Sequence, residues 1–284
     1  MNKSSHLVIG SNSFLGRQLC KQLHQQSKIV TGVYHKNTQN LFKKVKHVGF
    51  EELYSLPNDY HYVYIVSSYI PLNTDNNITE RLDAVNVALV QHIVNYFTRA
   101  KIIFCSSVSV YGELDAVITE QSPLDPITAY AKSKQKGEAI VSNHSKYAIV
   151  RISSLFGKRM KPITFLPLII KTALKDHTIT LFGFGKRLQN YIHVKHVAQI
   201  LIKAAHCHTN EVFLAVHDNS FSNTEMAEMV SSSFQNLNIV YRGKDDSKSY
   251  IYDNSYTRKT LQLKQQNSIK AEIKALIQWM RKEY

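Results

Sequence analysis

Short runs of β-branched and aromatic residues alternate with longer stretches of helical period over residues 4–157. In "HLVIGSNSFLGRQLCKQLHQQ" an apolar run breaks at Gly10, Ser11, Asn12 and Ser13, and Leu15, Leu19 and Leu23 then recur at the spacing of one helical face. The expected order is strand, tight turn, helix. "SKIVTGVYHKN", "HYVYIVSSY" and "KIIFCSSVSVYG" are further strand-like runs, with the helical stretch "RLDAVNVALVQHIVNYFTRA" between the last two. "AYAKSKQKGEAIVSNH" reads as the next helix and "YAIVRISSLFG" as the next strand. Strands that alternate with helices pair in parallel through right-handed crossovers. The pattern therefore predicts an α/β fold with a doubly wound parallel sheet of the Rossmann type.

After Gly157 the alternation loosens. "FLPLIIKTALKDH" and "KHVAQILIKAAHC" are helical, "TITLFGFGKRLQNYIHV" is strand and loop, and "EVFLAVHD" is a strand. Ser222 and Glu225 make a capping-box pattern ahead of another helix, and "KAEIKALIQWMRKEY" closes the chain as a helix. The expected division is a doubly wound domain over 1–157, with 190–206 packing back on it, and a smaller α/β domain over 158–284. The apolar run at 163–170 is too short to cross a bilayer and contains Pro167, so no membrane span is expected. No basic start followed by an apolar run marks a leader.

Composition changes this picture little: 44% hydrophobic and 20% charged residues are ordinary for a globular chain. Cys20, Cys105 and Cys207 have neither metal-ligand nor redox spacing, which suits reduced thiols in a cytoplasm and implies no metal. The net charge of +14 raises the question of nucleic acid. The lysines are scattered, with no arginine-rich arm and no recognition motif, so the charge is read as attraction for an anionic nucleotide and not for nucleic acid.

A strand running into Gly10-x-x-Ser13-x-x-Gly16 and then a helix is the context in which backbone approaches a pyrophosphate held by the helix N-terminus. The middle position is serine and the spacing differs from GxGxxG. Where an acidic residue would grip the adenosine ribose of NAD, the second strand ends in Tyr34, His35 and Lys36. Lys36, with His35 or Arg17, would pair with a 2′-phosphate, which favours NADP(H) over NAD(H); the alternative is a plain surface lysine.

Tyr130 stands four residues ahead of Lys134, a spacing that puts both on one helical face. With "SSVSVYG", "TEQSPLDPITAYAKSK", "IVRISSLFG" and "NYIHVKHVAQ", the chain resembles the extended short-chain dehydrogenase/reductase family. Its branch that includes NAD-dependent epimerases, dehydratases and reductases of nucleotide sugars is the one resembled. The resemblance implies a catalytic Ser107, a Tyr130 acid/base and a Lys134 that lowers the tyrosine pKa and anchors the cofactor. Ser106 and Ser109 are read as structural or cofactor neighbours. It further implies cofactor contacts from Gly10, Ser11, Asn12, Ser13, Phe14, Leu15, Gly16, Ser67, Ser68 and Asn86, besides His35, Lys36, Tyr130 and Lys134. Substrate contacts are implied for Ser107, Tyr130, Ser154, Lys158 and Arg187, with Lys186 a further candidate cation.

Within that family, sugar 4,6-dehydratases carry an Asp-Glu pair after the serine; here Val108 and Ser109 stand there. What remains is hydride chemistry at a secondary alcohol. The expected activity is reduction of a nucleoside-diphosphate 4-keto-6-deoxyhexose at C4, in a polysaccharide pathway. The alternatives are a nucleotide-sugar 4-epimerase with tightly held NAD and a cofactor-sensing regulator without turnover. A homodimer is a family-level expectation.

Overall fold

The structure is a computed structural model that describes residues 4–71 and 77–283. Its centre is a seven-stranded parallel sheet. In chain order its first six strands are β1 (Ser5–Ile9), β2 (Ile29–Tyr34), β3 (Lys46–Gly49), β4 (Tyr62–Ile65), β5 (Lys101–Ser107) and β6 (Tyr147–Ile152). The second part of the chain adds β7 (Ser154–Phe156), β8 (Thr178–Phe182), β9 (Leu188–Gln189), β10 (Tyr191–His193), β11 (Glu211–Ala215), β12 (Phe221–Ser222) and β13 (Asn238–Arg242). The central order is β11-β6-β5-β4-β1-β2-β3. It reverses direction between β1 and β4, where the carboxyl ends of an open α/β sheet leave a crevice.

The helices are α1 (Phe14–Gln25), α2 (Ile78–Leu82), α3 (Leu89–Tyr96), α4 (Ala129–Ser142), α5 (Phe165–Asp176), α6 (Val194–Ala205), α7 (Asn223–Ser231), α8 (Ser255–Thr260) and α9 (Ile269–Glu283). The period-two alternation of the strands splits the core into two layers. Val8, Tyr64, Ile103 and Val150 pack against Leu15, Leu19 and Leu23 of α1 and against α6. Leu7, Ile9, Val63, Ile65, Ile102 and Phe104 pack against Val90, Ile93 and Val141 on the other face. Each such buried side chain contributes about 1.5–3 kcal/mol. A separate core joins Leu166 and Ile170 of α5 to Met226 of α7 and Ile273 and Ile277 of α9.

The strand of 211–215 belongs to the central sheet, paired with β6, and not to the second part of the chain where a division at 157 places it. Three short strands, β3, β12 and β13, have no counterpart in the hydrophobic pattern. β3, "KHVG", is a polar four-residue edge strand, and β13 pairs with β8 in a small parallel ribbon. No described helix is long and apolar enough to cross a membrane.

Candidate active site

The glycine turn is shaped by two close approaches. A Cβ on Gly16 would lie 2.1 Å from the Gly10 carbonyl oxygen, and one on Gly10, whose φ is +94°, would lie 2.7 Å from the Ser67 nitrogen. Ser13 needs no glycine: its φ is −73°, and its hydroxyl accepts from Gly16 N at 3.0 Å as the cap of α1. The amides of Phe14 and Leu15 in the first turn have no intrahelical acceptor, and they face a cavity of about 640 Å³. Bare backbone, a helix N-terminus and an elongated cavity fit a dinucleotide pyrophosphate. Asn12, Ser13, Phe14 and Leu15 line that cavity. Ser11 is buried, its hydroxyl 3.1 Å from His47, so it builds the turn with Gly10 and Gly16.

The lining of this cavity differs from the residues expected at the adenosine ribose. His35 and Lys36 are exposed and do not line it. Asn12 Nδ2 donates to the Asn37 carbonyl at 3.0 Å and draws the following turn over the glycine loop, so Asn37, Asn40 and Arg17 are the lining residues. Lys158, Arg159 and Lys161 enter from the loop after β7, and among the described residues no Asp or Glu lines the cavity. Lys158, expected as a substrate contact, thus faces the dinucleotide cavity. Arg17 is pushed below the usual guanidinium range, first by burial and then by the nearby charge of Arg159.

β5 ends at Ser107, whose hydroxyl accepts from Ser109 N at 3.2 Å and from the Ser109 hydroxyl at 2.9 Å. α4 starts beside it, capped by Thr128, which accepts from Ala131 N at 3.1 Å. Tyr130 and Lys134 lie on the helical face that lines the cavity with Ser107. Burial pushes the Tyr130 phenol up, while hydrogen bonds to the hydroxyls of Ser68 and Ser107 pull it back. The Lys134 ammonium, expected beside the phenol, donates to the Cys105 carbonyl at 2.7 Å and lies 4.8 Å from the Phe104 ring centre. With its side chain buried, the strand carbonyl is the acceptor that satisfies it. Burial pushes Lys134 down to about 8, against the opposing pull of Cys105 and Glu138.

A buried polar network underlies these residues. Glu138, one turn beyond Lys134, accepts from Arg151 Nε at 3.0 Å and Nη2 at 2.7 Å and from the Ser106 hydroxyl at 2.5 Å. Arg151 also donates to the Tyr111 hydroxyl at 2.8 Å. Asn86, expected at the cofactor, is 1% exposed and spends its amide on Tyr69, Ser68 and Ser133, so it is a strut behind the cavity. Ser67 is likewise packed against Gly10, whereas Ser68 lines the cavity.

Two further cavities adjoin this one, and Ser107 lines the first of them. One of about 380 Å³ shares Ser107, Ile152 and Ser153 with the dinucleotide cavity and adds Glu113, Asn190, Tyr250 and Tyr252. The other, about 550 Å³, is lined by Phe165, Phe182, Tyr191, Asn223 and Lys244. Ser154, Arg187 and Gln189 line both. Arg187 is held there by its Nε donating to the Lys248 carbonyl at 3.2 Å, and Lys186 lines neither. Gln189, Tyr250 and Tyr252 were not legible as site residues, because only the fold brings these segments to Ser107.

This is an α/β protein of the doubly wound type, with a serine at the end of β5 and a tyrosine and a lysine on α4 lining one cavity. The chain belongs to the NAD dependent epimerase/dehydratase family, whose sequence model matches residues 6–213. It is 26% identical over 193 residues to a putative UDP-glucose 4-epimerase of Methanocaldococcus jannaschii, covering 64% of this chain and 63% of that one. It is 24% identical over 211 residues to a dTDP-glucose 4,6-dehydratase of Streptomyces griseus, covering 69% of this chain and 64% of the relative. Both alignments span just under two thirds of the relatives' length.

The fold is that of a UDP-N-acetylglucosamine 4-epimerase from Methanobrevibacter ruminantium, with a TM-score of 0.87, 19% identity and full coverage of both chains. A Bacillus cereus UDP-glucuronic acid 4-epimerase, solved with UDP-glucuronic acid and NAD, has a TM-score of 0.86 at 20% identity over 99% of this chain and 100% of that one.

Proposed function

We propose that this protein reduces a 4-keto group on a nucleotide-activated hexose, using NADPH in preference to NADH. The observation that carries the reading is the meeting of cavities at Ser107: an elongated, carboxylate-free cavity on one side and a polar one leading to Arg187 on the other. When bound, the dinucleotide supplies the hydride. Tyr130 donates a proton to the substrate oxygen, and Ser107 orients that oxygen by hydrogen bonding. Arg187 takes the diphosphate, and Phe182 with Tyr191 offers aromatic surface to the base. Water elimination lacks its catalysts, since Val108 packs against an apolar cluster, Ser109 bonds Ser107, and Glu113 is the sole carboxylate lining the cavity among the described residues.

The preference for NADPH rests on Arg17, Asn37 and Asn40 at the end of the cavity, where no acid is available for a free 2′-hydroxyl. A second reading, 4-epimerisation with retained NAD, is favoured by the similar proteins, several of which are 4-epimerases. The test is the loss of reduced-nicotinamide absorbance with NADPH or NADH and a panel of nucleotide 4-keto-6-deoxyhexoses. Stoichiometric NADPH oxidation that disappears in Tyr130→Phe establishes the reductase. Interconversion of nucleotide hexoses at C4 without added cofactor establishes the epimerase instead.

A further inference from the structure

The turn after β7 is built around a glycine and an arginine. Gly157, with φ at +147°, sits so close to α1 and α6 that an added Cβ would lie 2.9 Å from Val194 Cγ1, 3.1 Å from His193 Nε2 and 3.4 Å from Phe14 Cζ. Phe14 is the first residue of α1 and lines the cavity beside the glycine turn. The chain that follows Gly157 is therefore pinned beside that helix start. Met160 N donates to the Gly157 carbonyl at 3.3 Å, closing a four-residue turn over 157–160.

Arg159 is the third residue of this turn and has φ at +76°. A turn with positive φ at that position alone calls for glycine or asparagine there. The five other non-glycine residues with positive φ among the described residues have local reasons for it. Ser27, His177 and Gln262 follow the ends of α1, α5 and α8, where left-handed backbone is a common helix ending. Asn77 and Asn236 are of a residue type that tolerates it. Arg159 follows no helix, and it lines the cavity together with Lys158, Lys161 and Arg17. An arginine kept on strained backbone at a cavity wall points to a role for its side chain. Among the described residues no Asp or Glu lines the cavity, so a bound anion is what would balance these cations there.

We propose that Arg159 clamps the pyrophosphate of the dinucleotide against the N-terminus of α1, its guanidinium donating paired hydrogen bonds to phosphate oxygens. Two residues, about 7 Å of chain at most, separate it from the glycine packed on Phe14. Lys158 and Lys161 add positive charge from the same loop. The proposal rests on the reading of this cavity as a dinucleotide site. The pyrophosphate is common to NADH and NADPH, so the clamp serves both alike, whereas a 2′-phosphate belongs to NADPH alone.

The experiment is a fluorescence titration of the full chain with NADH and with NADPH, in the absence of any sugar nucleotide, for the wild type, Arg159→Gly and Arg159→Lys. In Arg159→Gly the affinity for both dinucleotides falls about tenfold, while the melting temperature of the cofactor-free protein is unchanged or higher, because glycine relieves the backbone. Arg159→Lys keeps the charge without the planar fork and recovers part of the loss. Unchanged affinities in Arg159→Gly overturn the proposal and make Arg159 a turn residue only. A loss confined to NADPH also overturns it, by moving the guanidinium to the 2′-phosphate. A wild-type chain that binds neither dinucleotide removes the clamp and the reading of the cavity together. Turnover is not needed for the readout, so failure of the reductase assay with binding intact touches the proposed reaction and not Arg159.

Discussion

Gly16 and Ser13 stand three residues apart in one turn and obey opposite constraints. A methyl on Gly16 meets the Gly10 oxygen at 2.1 Å, whereas Ser13 has ordinary extended backbone and gains a helix cap from its hydroxyl. Gly16→Ala is expected to cost about 1–3 kcal/mol of stability, read from the denaturant midpoint, and to weaken dinucleotide binding. Ser107→Ala and Tyr130→Phe are expected to lower kcat by about 10²–10⁴-fold while the melting temperature stays within a few degrees. Arg17→Ala should weaken NADPH binding by about tenfold or more and leave NADH binding nearly unchanged, in a titration of cofactor affinity. Equal losses for both cofactors would move the 2′-phosphate away from Arg17. At this scale the serine, tyrosine and lysine were legible because their order and spacing are local. That Arg17, Asn37 and Asn40, rather than His35 and Lys36, line the cavity was not legible, because it depends on how the chain turns after β2.

At the scale of elements, α4 presents Tyr130 and Lys134 to the cavity and is held from below. Its "KSKQKGE" stretch reads as a solvated lysine-rich face, yet Lys134 and Glu138 are both buried. Glu138 joins α4 to β6 through Arg151 and to β5 through Ser106. Removing one partner of a buried pair strands a charge, so Arg151→Met is expected to cost about 3–5 kcal/mol in chemical unfolding. The double variant Glu138→Leu with Arg151→Met is expected to recover much of that loss, because no uncompensated charge remains. An additive double variant would show that the pair contributes by shape alone. The strand β3 and the ribbon strand β13 were not legible, since short edge strands with polar residues lack a sustained period.

At the scale of the whole molecule, folding buries histidines in two different sheets, His6 in the central one and His193 in the pair of β10 with β7. His6, at the start of β1, is held near 3, first by burial and then by the charges of His206, Lys28 and His61. His193, at the end of β10, is held near 4, mainly by burial, although Glu272 of α9 pulls the other way. A histidine whose folded pKa lies below its unfolded value stays neutral in the native state while the unfolded chain takes up the proton. Its stability contribution is therefore complete above about pH 6.5 and is lost as pH falls from there toward the folded value. The urea midpoint is expected to be flat near neutrality and to fall steadily on acidification through about pH 6 to 4, with a shallower slope in His6→Asn. A midpoint constant over that range would show that both rings protonate freely in the folded protein.

The sequence by itself determined the alternation of strand and helix, the turn of Gly10 to Gly16, and the pairing of Tyr130 with Lys134 on one helical face. Each is a matter of neighbours within a few residues, where sterics and periodicity act directly. Tertiary structure alone decided that β11 returns to the central sheet, that Asn37, Asn40 and Arg17 line the cavity beside the glycine turn, and that Lys134 bonds the Cys105 carbonyl while Glu138 meets Arg151. These depend on which distant segments the packed layers bring within hydrogen-bond reach, and desolvation then makes every buried polar group find its partner there.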